Sequence, residues 1–183
     1  MDIKRIYSFQ VVATIFTIVL GSILHFTYDL LGNSNIVATF SAVNESTWEH
    51  LKLLAIPMIL FAIVEYFFIG KDANNYIEAK VLGIIFGMIL ITTIFYTYTG
   101  IIGNNFFLFD IATFIIAVIG AEWLSFKIMT SPSFSNKITQ ILSLICAMLI
   151  IIMFFVYTFI PPEINLFRDP ITGNYGIPLN NRI

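Results

Sequence analysis

Cysteine is nearly missing from this chain. Cys146 is the single one and sits inside an apolar run, so no intramolecular disulfide and no dithiol redox pair can form. Charge is scarce as well, with Asp, Glu, Lys and Arg together at 11% and a net charge of −2. No basic run exists to neutralise a phosphate backbone, which excludes nucleic acid as a partner. Clustered Arg or Lys of the kind that handles phosphate substrates is lacking too. There is no Gly-x-Ser-x-Gly elbow, P-loop, Cys-x-x-Cys pair or arginine-rich voltage sensor. Internal repeats and low-complexity linkers are also lacking.

What fills the chain is hydrocarbon. Of its 183 residues 58% are hydrophobic, and mean hydropathy is +0.92. The length suits one domain. Long apolar runs with few charges are membrane spans, because a helix satisfies its own backbone hydrogen bonds in lipid. The expected fold is therefore all-α: a single integral membrane bundle of five transmembrane helices over about 7–31, 51–69, 79–98, 106–126 and 138–160. Residues 36–43 (IVATFSAV) are apolar but too few to cross, so they are expected to form a short re-entrant or interfacial segment after the first span. Val11 to Leu24 leads into His25 and Asp29 with no small-x-small cleavage site, so the first span is expected to be retained. Pro57 should kink the second span. Gly83 and Gly87 form a Gly-x-x-x-Gly pair that permits close helix approach. The tail, 161–183, carries enough apolar residues (Leu166, Phe167, Ile171, Tyr175, Ile177) to dock, with Arg168 reaching an acid.

Positive charge sets orientation. Five spans put Lys4, Arg5, Lys71, Lys80, Lys127 and Lys137 on one side, and Lys52, Arg168 and Arg182 on the other. That bias predicts a cell-membrane protein with its N-terminus cytoplasmic and its C-terminus outside.

Ionisable groups in or beside a membrane are costly, so each is a candidate for function. Polar groups are densest in Asn44-Glu45-Ser46-Thr47-Trp48-Glu49-His50-Leu51-Lys52. Ser46-x-x-Glu49 has the form of a reciprocal capping box at the entry to the second span, and Trp48 suits an interfacial belt. Capping leaves Asn44, Glu45 and His50 unexplained. The other histidine, His25, lies at the outer end of the first span with Ser22 and Asp29 on the same helical face, where Asp29 would fix its tautomer. The expected site is thus a polar pocket at the outer face built from His25, Asp29, Asn44, Glu45, Glu49 and His50. Within it His25, His50 and Glu45 are the candidate ligands of a divalent metal, a mixed N/O set suited to zinc or iron. A haem clamped by the two histidines is the second choice. Glu65 and Glu122 are expected to snorkel to the inner surface. The alternative makes them, with Asp110, a proton path.

His25-Phe26-x-Tyr28-Asp29, Val43-Asn44-Glu45-Ser46-x-Trp48-Glu49-His50-Leu51-Lys52 and Leu166-Phe167-x-Asp169-Pro170 with Tyr175-Gly176-Ile177 together resemble a family of small multi-pass bacterial membrane proteins of unknown function. The resemblance implies a membrane protein and adds no reaction. A fainter likeness is to intramembrane metal hydrolases of the ceramidase type. This chain has fewer spans than they do and lacks their later histidines. Three functional expectations follow: a polar, metal-binding pocket taking a small polar or lipid-like ligand, a small proton-coupled transporter, and a non-catalytic membrane scaffold. The lipid bilayer is the partner in all three.

Overall fold

A computed structural model describes residues 2–177. Tail residues 178–183, with Arg182, lie outside that range. Among the described residues the chain is helical, without strands; one isolated antiparallel bridge joins Arg168 to Tyr175 in the tail. Helix α1 is Ile3–Leu30, α2 Asn35–Ala38, α3 Thr47–Glu65, α4 Tyr76–Ile102, α5 Phe107–Met129 and α6 Lys137–Phe159. A π-helical turn, Tyr66–Gly70, prolongs α3. The five long helices are each long and apolar enough to cross a membrane. Their outward faces are hydrocarbon: Val12, Ile15, Val19 and Ile23 along α1 are all more than half exposed. Such a surface suits a lipid solvent, where lipid-facing side chains lose nothing by exposure.

Local chemistry sets the helix ends. Asp2 accepts from the Arg5 amide at 3.1 Å to cap α1, and Gly32 and Asn33, both at positive φ, turn the chain after it. Asn136 and Thr139 form a full capping box at α6. Helix α3 stays helical through Pro57.

On the inner stripe of α1, Ile6, Gln10, Ala13, Thr17, Gly21, Leu24 and Tyr28 are buried at three- and four-residue spacing. Helices α4 and α5 approach closely where Gly83 and Gly87 face Ala121 and Ser125. A Cβ on Gly87 would stand 2.8 Å from Leu54 Cδ1 and 3.0 Å from Ala121 Cβ. Ser125 Oγ, in the same seam, donates to the Ala79 carbonyl at 3.0 Å. The Gly-x-x-x-Gly pair therefore sits in a real three-helix contact.

The segment between α1 and α3 packs down on the bundle. Ser41 Oγ bonds the Leu24 carbonyl and accepts from the Tyr28 amide, while Val37, Ala38, Ala42 and Val43 are buried. The tail docks beside it, with Phe167 and Ile177 buried. Trp48 is not an interfacial anchor. It is buried against Phe154, Tyr157 and Phe167, with ring centroids 5.1, 5.5 and 4.8 Å away, because the docked tail closes over the place where solvent would reach it. Among the described residues Arg168 reaches no acid; its Nε donates to the Gly173 carbonyl at 3.4 Å.

Candidate functional site

The polar stretch before α3 divides into two groups that face different ways. Ser46 Oγ accepts from the Glu49 amide at 3.4 Å, but the return bond of a capping box is not made. The Ser46 amide donates to Asn44 Oδ1 at 2.8 Å, and Glu49 Oε2 takes the Val43 amide at 3.1 Å and Lys52 Nζ at 2.5 Å. Lys52, three residues on, is fully buried, and a buried ammonium outcompetes an amide for the carboxylate. Its other donors go to the Ala38 carbonyl at 2.8 Å and Thr158 Oγ1 at 2.9 Å. This ion pair ties α3 to α2 and α6. Asn44 Nδ2 holds the tail through the Gly176 carbonyl at 2.8 Å. Asp29 is exposed and accepts from Asn33 at 3.0 Å rather than orienting His25.

Of the six expected pocket residues, His25, Glu45 and His50 come together. Glu45 Oε2 lies 3.6 Å from His25 Nε2 and 3.5 Å from His50 Nε2. One donor atom from each residue falls within 4.8 Å of the others, and the imidazole centroids are 5.2 Å apart. Three elements supply them: the last turns of α1, the extended approach to α3, and its first turn. All three side chains are partly exposed, between 26% and 41%. His50 Nδ1 is 2.9 Å from the Ser46 carbonyl. A carbonyl accepts only, so Nδ1 carries a proton and Nε2 is the ring nitrogen turned towards Glu45. His25 Nδ1 is buried with no hydrogen-bond partner. The hydrogen bond from the adjacent His25 imidazole holds the Glu45 carboxyl below the usual carboxylate range, against the opposing effect of burial, and the nearby charge of His50 lowers it further by a smaller amount.

The trio stands at one end of a cleft of about 650 Å³ between α1, α3, α4 and α5. Its walls are mainly apolar, with Ile18, Leu53, Ile91, Phe95 and Phe114 below the histidines. Asp110 also lines it, and bonds Tyr98.

At the opposite end of the bundle is a second buried cluster that sequence reasoning only half saw. Glu65 and Glu122 do not snorkel; both are buried, because Lys80 on α4 turns inward between them. Lys80 Nζ lies 2.6 Å from Glu65 Oε2, 3.1 Å from Glu122 Oε2 and 3.1 Å from Gln10 Oε1. Glu65 also accepts from Gln10 Nε2 at 2.5 Å and Tyr76 Oη at 3.0 Å. Two carboxylates thus share one ammonium away from water. The missed residues are Lys52, Lys80, Gln10 and Tyr76. For Lys52 the i,i+3 spacing from Glu49 was a usable signal, whereas Lys80 pairs across 42 residues and leaves no local pattern.

An all-helical bundle with five helices apt to cross a membrane, and polar clusters buried at both ends, fits a membrane protein. The chain belongs to the family of unknown function DUF6512, whose model matches residues 2–177. No curated protein and no solved structure matches it.

Proposed function

We propose that this is a multi-pass membrane protein whose outer-face cleft binds a divalent transition metal ion through His25, His50 and Glu45. The observation that carries the reading is the convergence of three ligand atoms, one each from His25, Glu45 and His50, within 4.8 Å of one another. A tetrahedral ion with bonds of about 2.0–2.2 Å separates its ligand atoms by about 3.3–3.6 Å, and the two carboxylate–imidazole distances of 3.5 and 3.6 Å agree with that edge. The Ser46 carbonyl would serve as the outer partner that a metal-bound imidazole needs. Two imidazoles and one carboxylate suit zinc or non-haem iron and leave one or more positions open for water or a ligand. Haem fits less well, since Glu45 lies within 3.6 Å of both imidazole nitrogens.

The exposed cations support the expected orientation. Lys52 and Lys80 are buried in ion pairs, so neither counts as a loop charge. Among the described residues that leaves Lys4, Arg5, Lys71, Lys127 and Lys137 exposed at one end and Arg168 at the other, a bias that supports a cell-membrane orientation with the histidine end outside.

The test is titration of the metal-stripped protein with Co²⁺, followed by its visible absorption. The expected result is one saturable site with d–d bands of low-coordinate cobalt, lost in His50→Ala. Featureless six-coordinate cobalt with the same affinity in both proteins refutes the reading.

A second reading rests on the other cluster. One ammonium between two buried carboxylates leaves a site that takes up a single further proton, which is the part a proton-coupled carrier needs on its inner side. Proton uptake into proteoliposomes, abolished by Glu122→Gln, is its test; equal uptake in the variant removes it.

A further inference from the structure

We infer that the cleft takes an amphiphile, with its polar head at the His25–Glu45–His50 end and a hydrocarbon chain running down between α1, α3, α4 and α5. This rests on the metal reading above and names the ligand class for that site. The ionisable groups of the cleft stand towards one end, and beside its deeper apolar walls the polar side chains are the hydroxyls of Ser22 and Thr113. His25, Glu45 and His50 stand at its mouth and Asp110 lines it from α5, whereas Ile18, Leu53, Ile91 and Phe114 line the deeper part. A small hydrophilic ligand is disfavoured in that deeper part, where two hydroxyls among apolar walls leave most of its polar groups without a hydrogen bond. A purely apolar ligand would leave the open side of a bound metal unused. A molecule with both parts matches both regions of the cleft, whose volume of about 650 Å³ lies in the range of sites that enclose a small molecule.

The depth sets the chain length. His25 and Ile18 are seven residues apart on α1, so the apolar part reaches about 10 Å below the metal-binding atoms. An extended hydrocarbon advances about 1.25 Å per carbon, so about eight carbons fit. The head group must bring an oxygen to the metal, as a carboxylate, ester, amide or hydroxamate does. An anionic oxygen offsets the charge that the ion leaves uncompensated, since Glu45 is the one carboxylate of the trio.

The experiment uses the full chain in lipid nanodiscs, loaded with Zn²⁺, and a series of alkyl hydroxamates with two, eight and sixteen carbons. Zinc content is measured on the same samples. Affinity is expected to rise at least about tenfold from two to eight carbons, because each buried methylene contributes, and to change little from eight to sixteen. Ile18→Trp, which fills the cleft from α1, should flatten the two-to-eight step while leaving zinc content and binding of the two-carbon compound unchanged. Ile91→Phe, which adds bulk from α4, gives the same result if the first variant folds poorly. A steady gain through sixteen carbons in the wild type is membrane partitioning and overturns the inference. So does a two-to-eight step that both variants retain. Failure of the wild type to take up zinc removes the metal reading, and the inference with it, whereas zinc uptake without a chain-length break removes the inference alone.

Discussion

Glu65 and Glu122 look alike in sequence, as single acids in apolar helices, but the structure assigns them very different weights. Glu65 receives from Gln10 Nε2, Lys80 Nζ and Tyr76 Oη, so both its oxygens face donors. In Glu65→Gln the new amide NH₂ must point at a donor whichever way it is turned, and all of these groups are buried. Leaving buried donors unsatisfied costs about 1–3 kcal/mol, and the charge-assisted bond is weakened as well, so a loss of about 3 kcal/mol is expected. Glu122 takes Lys80 at 3.1 Å on one oxygen. In Glu122→Gln the amide oxygen keeps that bond and Lys80 retains Glu65 as its counter-ion, so the cost should stay within about 1 kcal/mol. Lys80→Met is the severe case. It leaves two carboxylates with no cation, and breaking a buried ion pair in this way costs about 3–5 kcal/mol. The assay is denaturant unfolding of the purified protein in mild detergent, followed by tryptophan fluorescence. An order of Lys80→Met, then Glu65→Gln, then Glu122→Gln is expected. Equal losses for the two glutamates would refute the charge arithmetic that distinguishes them.

Further outcomes follow from the other polar contacts. Lys52→Met should destabilise by about 3–5 kcal/mol by stranding Glu49, and adding Glu49→Leu should recover much of it, as a double-mutant unfolding cycle will show. Asn44→Ala removes the hydrogen bond to the Gly176 carbonyl and should speed proteolysis of the tail while leaving the five long helices protected. Gly87→Val should cost about 1–3 kcal/mol or more, since its side chain meets Leu54 and Ala121. Glu45 has a lowered pKa in the folded protein, so its stabilising contribution is present above the ordinary carboxylate pKa of about 4.3 and is lost as pH falls through the lower folded value. Metal-free wild type should therefore lose stability on acidification below about pH 4.3, and Glu45→Gln should lose less over the same interval, read as melting temperature against pH.

The five long helices were legible because apolar runs bounded by Gly, Asn and Pro are a one-dimensional signal. Their ends were less so: α1 begins at Ile3 and α4 runs from Tyr76 to Ile102, each including polar residues that hydropathy alone leaves out. The histidine pair was legible for a simple topological reason. His25 ends one helix, His50 begins the next long one, and an antiparallel hairpin brings such positions together. Glu45 joined them because it lies ahead of the extended N-cap Ser46, where helix α3 has not begun, which frees it from the helical face that Glu49 follows. The two lysines misled for the opposite reason. Charge counting places Lys52 and Lys80 at surfaces, but each finds its carboxylate inside, and for Lys80 the partners come from α3 and α5. Trp48 was misread likewise, because the tail that covers it arrives from more than a hundred residues away.

The central claim concerns what sits among His25, Glu45 and His50. Elemental analysis of the purified protein, with His25→Ala, His50→Ala and Glu45→Gln prepared in parallel, tests it most directly. The account predicts about one equivalent of a transition metal per chain in the wild type, and well under half of that in each variant, since a lost ligand greatly weakens a three-ligand site. A wild type without metal, or variants that hold as much as the wild type, would contradict it.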